Sequence, residues 1–170
     1  MSVRSVLLLG LVFFLAACGN KNPLEVTVSR CPAVAVVGDA GTLTRFKGDG
    51  RNVEDVAFTA SIMDVRLTCE EADDVKSRVT FSVGAKAGEA FNGGSVTLPY
   101  FIVVLKDNSQ IVTKRVFDVT LQFDNNGHAM SNEVIAQHIP TIDQARRYNY
   151  EVLVGFQLAA QDAVYNMERR

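Results

Sequence analysis

The sequence has no tryptophan, two histidines and four prolines among its 170 residues. Each scarcity narrows the chemistry open to it. His128 and His138 are too sparse for a zinc site, which takes several Cys or His ligands at short spacing. No G-x-S-x-G element occurs. Gly94-Ser95 opens a strand after a loop, whereas a nucleophile elbow needs a strand-to-helix turn. A Cys–His pair is the remaining route to a nucleophile. Cys31 and Cys69 lie among apolar strand residues, however, where a thiol stays protonated and inert. Gly48-Asp49-Gly50 lacks both the lysine and the helix of a phosphate-cradling loop. Asp124-Asn125-Asn126-Gly127 starts like a calcium loop, but Glu133 falls too early for the closing acid, so a tight turn is the better account. The expectation is a protein with no catalytic set, no cofactor and no metal.

Positive charge is also without a block. The chain carries 17 basic and 19 acidic residues, interspersed, where a nucleic-acid surface wants clustered cations. No nucleic-acid partner is expected. Glu70-Glu71-Ala72-Asp73-Asp74 is the one dense charge run, and it reads as a solvated loop ahead of a cation site or a basic partner's site. There is no internal repeat and no low-complexity segment.

What is present begins at the first residues. Arg4 is the only charge before Lys21, and Val6 to Leu15 is apolar apart from Gly10. That is the charged start and short apolar run of a secretory signal. The run is too short for a membrane span, which needs about 20 residues. Leu15-Ala16-Ala17-Cys18 then resembles the lipobox of bacterial lipoproteins. The resemblance implies cleavage before Cys18 and acylation of its thiol and new amino group. Several acyl chains at about 0.8 kcal/mol per buried CH₂ hold a protein firmly on a bilayer. In this family an aspartate after the cysteine favours the inner membrane. Gly19 stands there instead, which implies an outer-membrane anchor facing the periplasm. Arg4 is the only charge lost with residues 1–17, so the mature chain has 16 basic against 19 acidic side chains and a formal charge of −3.

The implied compartment is oxidising. Two cysteines remain, Cys31 and Cys69, and in such a compartment pairing is favoured over two buried thiols. The loop closed would be just under 40 residues. Chain entropy sets that bridge at about 4 kcal/mol at most.

From residue 24 onward the pattern is strands and turns. Leu24–Val28, Cys31–Val37 and Thr42–Phe46 read as short strands. Val56–Ile62 places Phe58, Ala60 and Ile62 on one face; Val65, Leu67 and Cys69 then continue on the other parity. Side chains alternate with period two, so this slip implies a bulge or corner at Met63-Asp64. Arg78–Ala85 is a half-buried strand with Val79, Phe81, Val83 and Ala85 inward. Ser95–Leu105 is apolar on both faces, which marks a central strand, one covered by the domain itself, or a face for a partner. Pro99 removes one ladder donor and suggests a kink or an edge there. Lys106-Asp107-Asn108-Ser109 is a hairpin turn, and Val112–Phe123 returns with Phe117, Val119, Leu121 and Phe123 inward. Ser131–Gln137 is expected to form one or two helical turns. Tyr150–Leu158 is a last strand, and Asp162–Arg170 a short helix or loose tail on which Tyr165 and Met167 are able to pack back. Tyr100, Phe101, Tyr148, Tyr150 and Tyr165 could form an aromatic surface, but most are better placed in the core.

Seven or eight strands with Gly- and Asn-rich turns favour an all-β antiparallel β-sandwich. Ile139-Pro140 through Tyr150-Glu151-Val152 resembles the late crossing loop and tyrosine-bearing strand of immunoglobulin and fibronectin type III domains. The core tryptophan of antibody domains is missing, which leaves strand order open. The whole chain resembles small envelope lipoproteins of Gram-negative bacteria. The organisation expected is a signal at 1–17, a lipidated tether at 18–23, a sandwich at 24–158 and a C-terminal helix or tail at 159–170. The role expected is that of a non-enzymatic accessory or scaffold with an envelope protein partner. The rivals are a module that binds a small ligand or peptide, and a hydrolase assembled from distant loops. The last needs His128 or His138 beside an acid or hydroxyl, and fails if both lie apart and exposed.

Overall fold

The computed structural model describes residues 30–140, 145 and 149–169. The signal at 1–17, Cys18, the tether, the expected strand Leu24–Val28 and Tyr148 lie outside the described residues. Among the described residues eight strands follow one another: β1 (Ala33–Val36), β2 (Thr42–Phe46), β3 (Val56–Glu71), β4 (Val75–Ala87), β5 (Ser95–Lys106), β6 (Gln110–Gln122), β7 (His128–Ile139) and β8 (Tyr150–Phe156). One helix, α1 (Ala160–Met167), comes after them. They form an all-β sandwich of two four-stranded sheets, ordered β1-β8-β5-β6 and β2-β3-β4-β7. Every pairing is antiparallel except that of β1 with β8.

Alternation dictates the core. Leu43, Phe58, Ala60, Val79, Phe81 and Val83 from one sheet meet Leu98, Tyr100, Leu121, Val152, Val154 and Phe156 from the other. Each fully buried side chain of this kind contributes about 1.5–3 kcal/mol. The expected parity slip in β3 is a bulge. Met63 pairs with Ser82 and Arg66 with Thr80, so Asp64 and Val65 oppose the single residue Phe81. Asp64 sits at φ +54°, a left-handed conformation that aspartate tolerates better than most residues.

Pro99 lies inside β5, and its carbonyl accepts the Gln157 N–H beyond the end of β8. N–H and C=O of one strand residue point the same way, so the missing donor falls on the side where the β8 ladder has stopped. β5 itself is an interior strand, paired to β6 at Pro99, so the proline sits where the β8 pairing ends and not on a sheet edge. The hairpin at Lys106–Ser109 has positive φ at both Asp107 and Asn108, the signature of a type I′ turn.

Two expectations are overturned. Ser131–Gln137 is strand within β7, not helix: Ser131, Glu133, Ile135 and Gln137 are half-buried while Asn132, Val134, Ala136 and His138 are exposed. That period of two is set by pairing to β4 along its full length. Met167 does not pack back but is largely exposed. Tyr165 does pack, edge-on against Phe46 at 5.1 Å, and Asn166 Nδ2 donates to the carbonyls of Asp39 and Thr42. Arg45 and Asp162, 3.5 Å apart, add an ion pair to the same helix–strand seam.

Candidate functional site

The bulge in β3 has a consequence on the outer face of the β2-β3-β4-β7 sheet. It closes the stretch in which Thr59, Ser61 and Met63 point outward. Met63 then lies across to β4, where Gly84 leaves room for it. A Cβ at Gly84 would come 2.5 Å from the Met63 methyl carbon, so any larger residue would displace the methionine. Gly84 pairs in turn with Met130 on β7, whose side chain is 67% exposed. Together these residues floor a shallow depression of about 580 Å³. Its rim is polar: Thr59 and Ser61 on one side, Lys86, Asp124 and His128 at one end. Val134, also exposed, extends the apolar strip along β7. Unbranched, polarisable methionines suit a surface that must fit an irregular apolar partner.

The rim is rigid where it carries negative charge. Asp124 Oδ1 accepts the N–H groups of Asn126 at 2.8 Å and His128 at 2.9 Å, and Gly127 adopts φ +73°. The His128 and Asn126 hydrogen bonds hold the Asp124 carboxyl below the usual carboxylate range. The Asp124–Gly127 segment is thus the tight turn expected, with its acid committed to the backbone.

A second recess opens between the sheets along the β6 and β7 edges. Ile102, Val104, Phe117, Ile135 and Val152 line a slot of about 250 Å³ with Arg115 and Gln137 at its mouth. Beside it, the Tyr100 hydroxyl donates to Glu133 Oε2 at 3.2 Å, and Ser131 donates to Glu133 Oε1 at 2.7 Å. Burial, and then the Glu133 charge, push the Tyr100 phenol far above its ordinary value, so it stays a neutral donor. The apparatus ties one sheet to the other.

The histidines separate. They stand ten positions apart on β7, about 33 Å along an extended strand, and both are exposed. His138 does have an acid, Asp74 Oδ2 at 2.7 Å, which also meets Lys76 at 3.3 Å. Those contacts, the His138 hydrogen bond first, lower the Asp74 pKa. Among the described residues no hydroxyl hydrogen-bonds either imidazole. The His138–Asp74 pair fastens the β3–β4 turn to β7.

Cys31 and Cys69 are joined, S–S 2.10 Å. Their sulfurs and a Glu71 carboxylate oxygen lie within 4.8 Å of one another, a spacing that could suit a metal ion. The disulfide leaves no thiolate to ligate, and Glu71 Oε1 accepts the Arg30 N–H at 2.8 Å. The acidic run is thus partly spent on local contacts through Glu71 and Asp74.

Sequence reasoning marked Met63 only as a bulge position and gave Gly84 and Met130 no part in a site. The bulge was legible, but the cross-strand register that gathers the three was not. Among the described residues no helix is long and apolar enough to cross a membrane. No protein-family model, curated protein or solved structure matches the chain.

Proposed function

We propose that the chain is a lipid-anchored envelope lipoprotein whose sandwich is a non-enzymatic docking module in an envelope protein assembly. The methionine-floored depression carries the proposal: apolar, open and rimmed by polar groups, it has the make-up of a protein-binding patch. The lipobox ending at Cys18 and the following Gly19 support an outer-membrane anchor with the domain in the periplasm. Acylation at Cys18 and a partner on the β3-β4-β7 face together make the module a scaffold.

Two experiments test this. A photo-crosslinking residue in place of Met130, expressed in intact cells, should give a discrete protein adduct identifiable by mass spectrometry. The same residue at Val53, which is exposed and does not line the depression, should not. Equal adducts at both positions would refute docking at the depression. Separately, Cys18→Ala should move the protein from the membrane to the soluble fraction, and unchanged fractionation would refute the anchor.

One observation favours a second reading, capture of an extended peptide by strand addition. β6 and β7 are both long edge strands and flank the apolar slot. A peptide bound there would protect β6 amides from hydrogen exchange while leaving Met130 crosslinking unchanged.

A further inference from the structure

We infer that the tip of the β5–β6 hairpin is a second, direct contact with the membrane, and that its ligand is an anionic bilayer surface. The inference rests on the lipid anchor proposed above. Every residue from Gln110 to Val116 is exposed, and three of them are apolar: Ile111 at 62%, Val112 at 53% and Val116 at 52%. The ladder skips between Val104–Thr113 and Leu105–Ile111, which leaves Val112 as the extra residue of a bulge. Between positions 106 and 116 the basic residues are Lys106, Lys114 and Arg115, against the single acid Asp107. The Asp107 carboxylate accepts the Asn149 N–H at 3.2 Å, and the Lys114 ammonium rides 4.7 Å above the Phe101 ring. Apolar side chains interleaved with basic ones are what a headgroup layer of anionic lipid accepts.

Position supplies the second argument. Glu151 of β8 pairs with Ala33 on one side and Leu105 on the other. The chain therefore enters the sandwich two strand spacings, about 10 Å, from the base of this hairpin. Eleven residues lie between Cys18 and Arg30, and the twelve steps from one to the other can span no more than about 40 Å. An anchored molecule thus presents the hairpin to the bilayer at high effective concentration, and the contact need not hold by itself. The β3–β4 turn at the same end carries Glu70, Glu71, Asp73 and Asp74, which an anionic surface repels. Attraction at one hairpin and repulsion at the other tilt the β1-β8-β5-β6 sheet towards lipid. The methionine depression, on the outer face of the other sheet, is then turned away from the bilayer.

The lack of tryptophan makes a clean probe. Acylated Ile111→Trp protein, with Val53→Trp as the control, is reconstituted into vesicles of phosphatidylethanolamine and phosphatidylglycerol. The Ile111→Trp emission should shift to the blue and be quenched by brominated acyl chains; the Val53→Trp emission should do neither. Adding Lys114→Glu and Arg115→Glu should abolish the quenching, as should replacement of phosphatidylglycerol by phosphatidylcholine. Equal quenching at both sites, or none at Ile111→Trp, overturns the inference. Intact mass separates the two readings: a chain without acyl groups overturns anchor and inference together, whereas an acylated chain with a silent Ile111→Trp probe overturns the inference alone.

Discussion

Two hairpins reach the same end of the sandwich and are finished in opposite ways. The β3–β4 hairpin is stapled. Cys69 is bridged to Cys31, Asp74 ties the turn to His138 and Lys76, and Val75, Ile139 and Ala145 form a small buried cluster with Cys69 and Tyr150 beside it. The β5–β6 hairpin ends in a type I′ turn, and the first seven residues of its return strand are exposed. Both hairpins are rich in β-branched residues. What separates them is what lies alongside: β4 has β7 as its outer neighbour there, while β6 is an edge. A strand's sequence sets which face is apolar; its neighbours decide whether that face is used for stability or left for contact.

The contrast can be broken at several points. The largest effect should come from the staple. Cys31→Ser with Cys69→Ser should lower unfolding free energy by about 4 kcal/mol, read from denaturant midpoints of the oxidised protein and the variant. Next, Ile139→Ala, under the stapled turn, should cost about 3 kcal/mol by the same measurement, because a buried side chain leaves a cavity. The Asp74 clasp should contribute less. Its carboxyl titrates lower folded than unfolded, so its stabilisation is present above the unfolded value near pH 4 and is lost as pH falls through the folded one. Asp74→Asn should therefore flatten the acid limb of the stability profile, and His138→Gln should raise the Asp74 pKa measured by NMR. The smallest effect belongs to the bare hairpin: Ile111→Ala should change stability by no more than about 0.5 kcal/mol in the same denaturant series. A large loss there would mean the tip is packed and the contrast is wrong.

Much of this layout was legible in the residues. The sandwich, the disulfide, the limits of β2 and the bulge at Met63-Asp64 follow from local alternation and cysteine arithmetic. β7 did not, because Ser131, Asn132, Glu133 and Gln137 dilute its apolar signal; only pairing to β4 makes those residues a strand. The docking face was hidden for a related reason. Met63, Gly84 and Met130 come from three strands and meet only through register, which no window along the chain contains.

The parallel pairing of β1 with β8 bears on timing. On the proposed export route the polypeptide crosses its membrane as a thread, and the disulfide can close once Cys69 has emerged. Among the described residues, however, Ala33–Val36 has no strand partner until Tyr150–Phe156 arrives, and the Asn166 contacts to Asp39 and Thr42 come later still. Such distant pairings make for slow folding. The strand Tyr150–Phe156 and the helix Ala160–Met167 act as a latch, and a nascent chain stalled before them would wait half-assembled, with Ala33–Val36 hanging loose for chaperones or proteases to find.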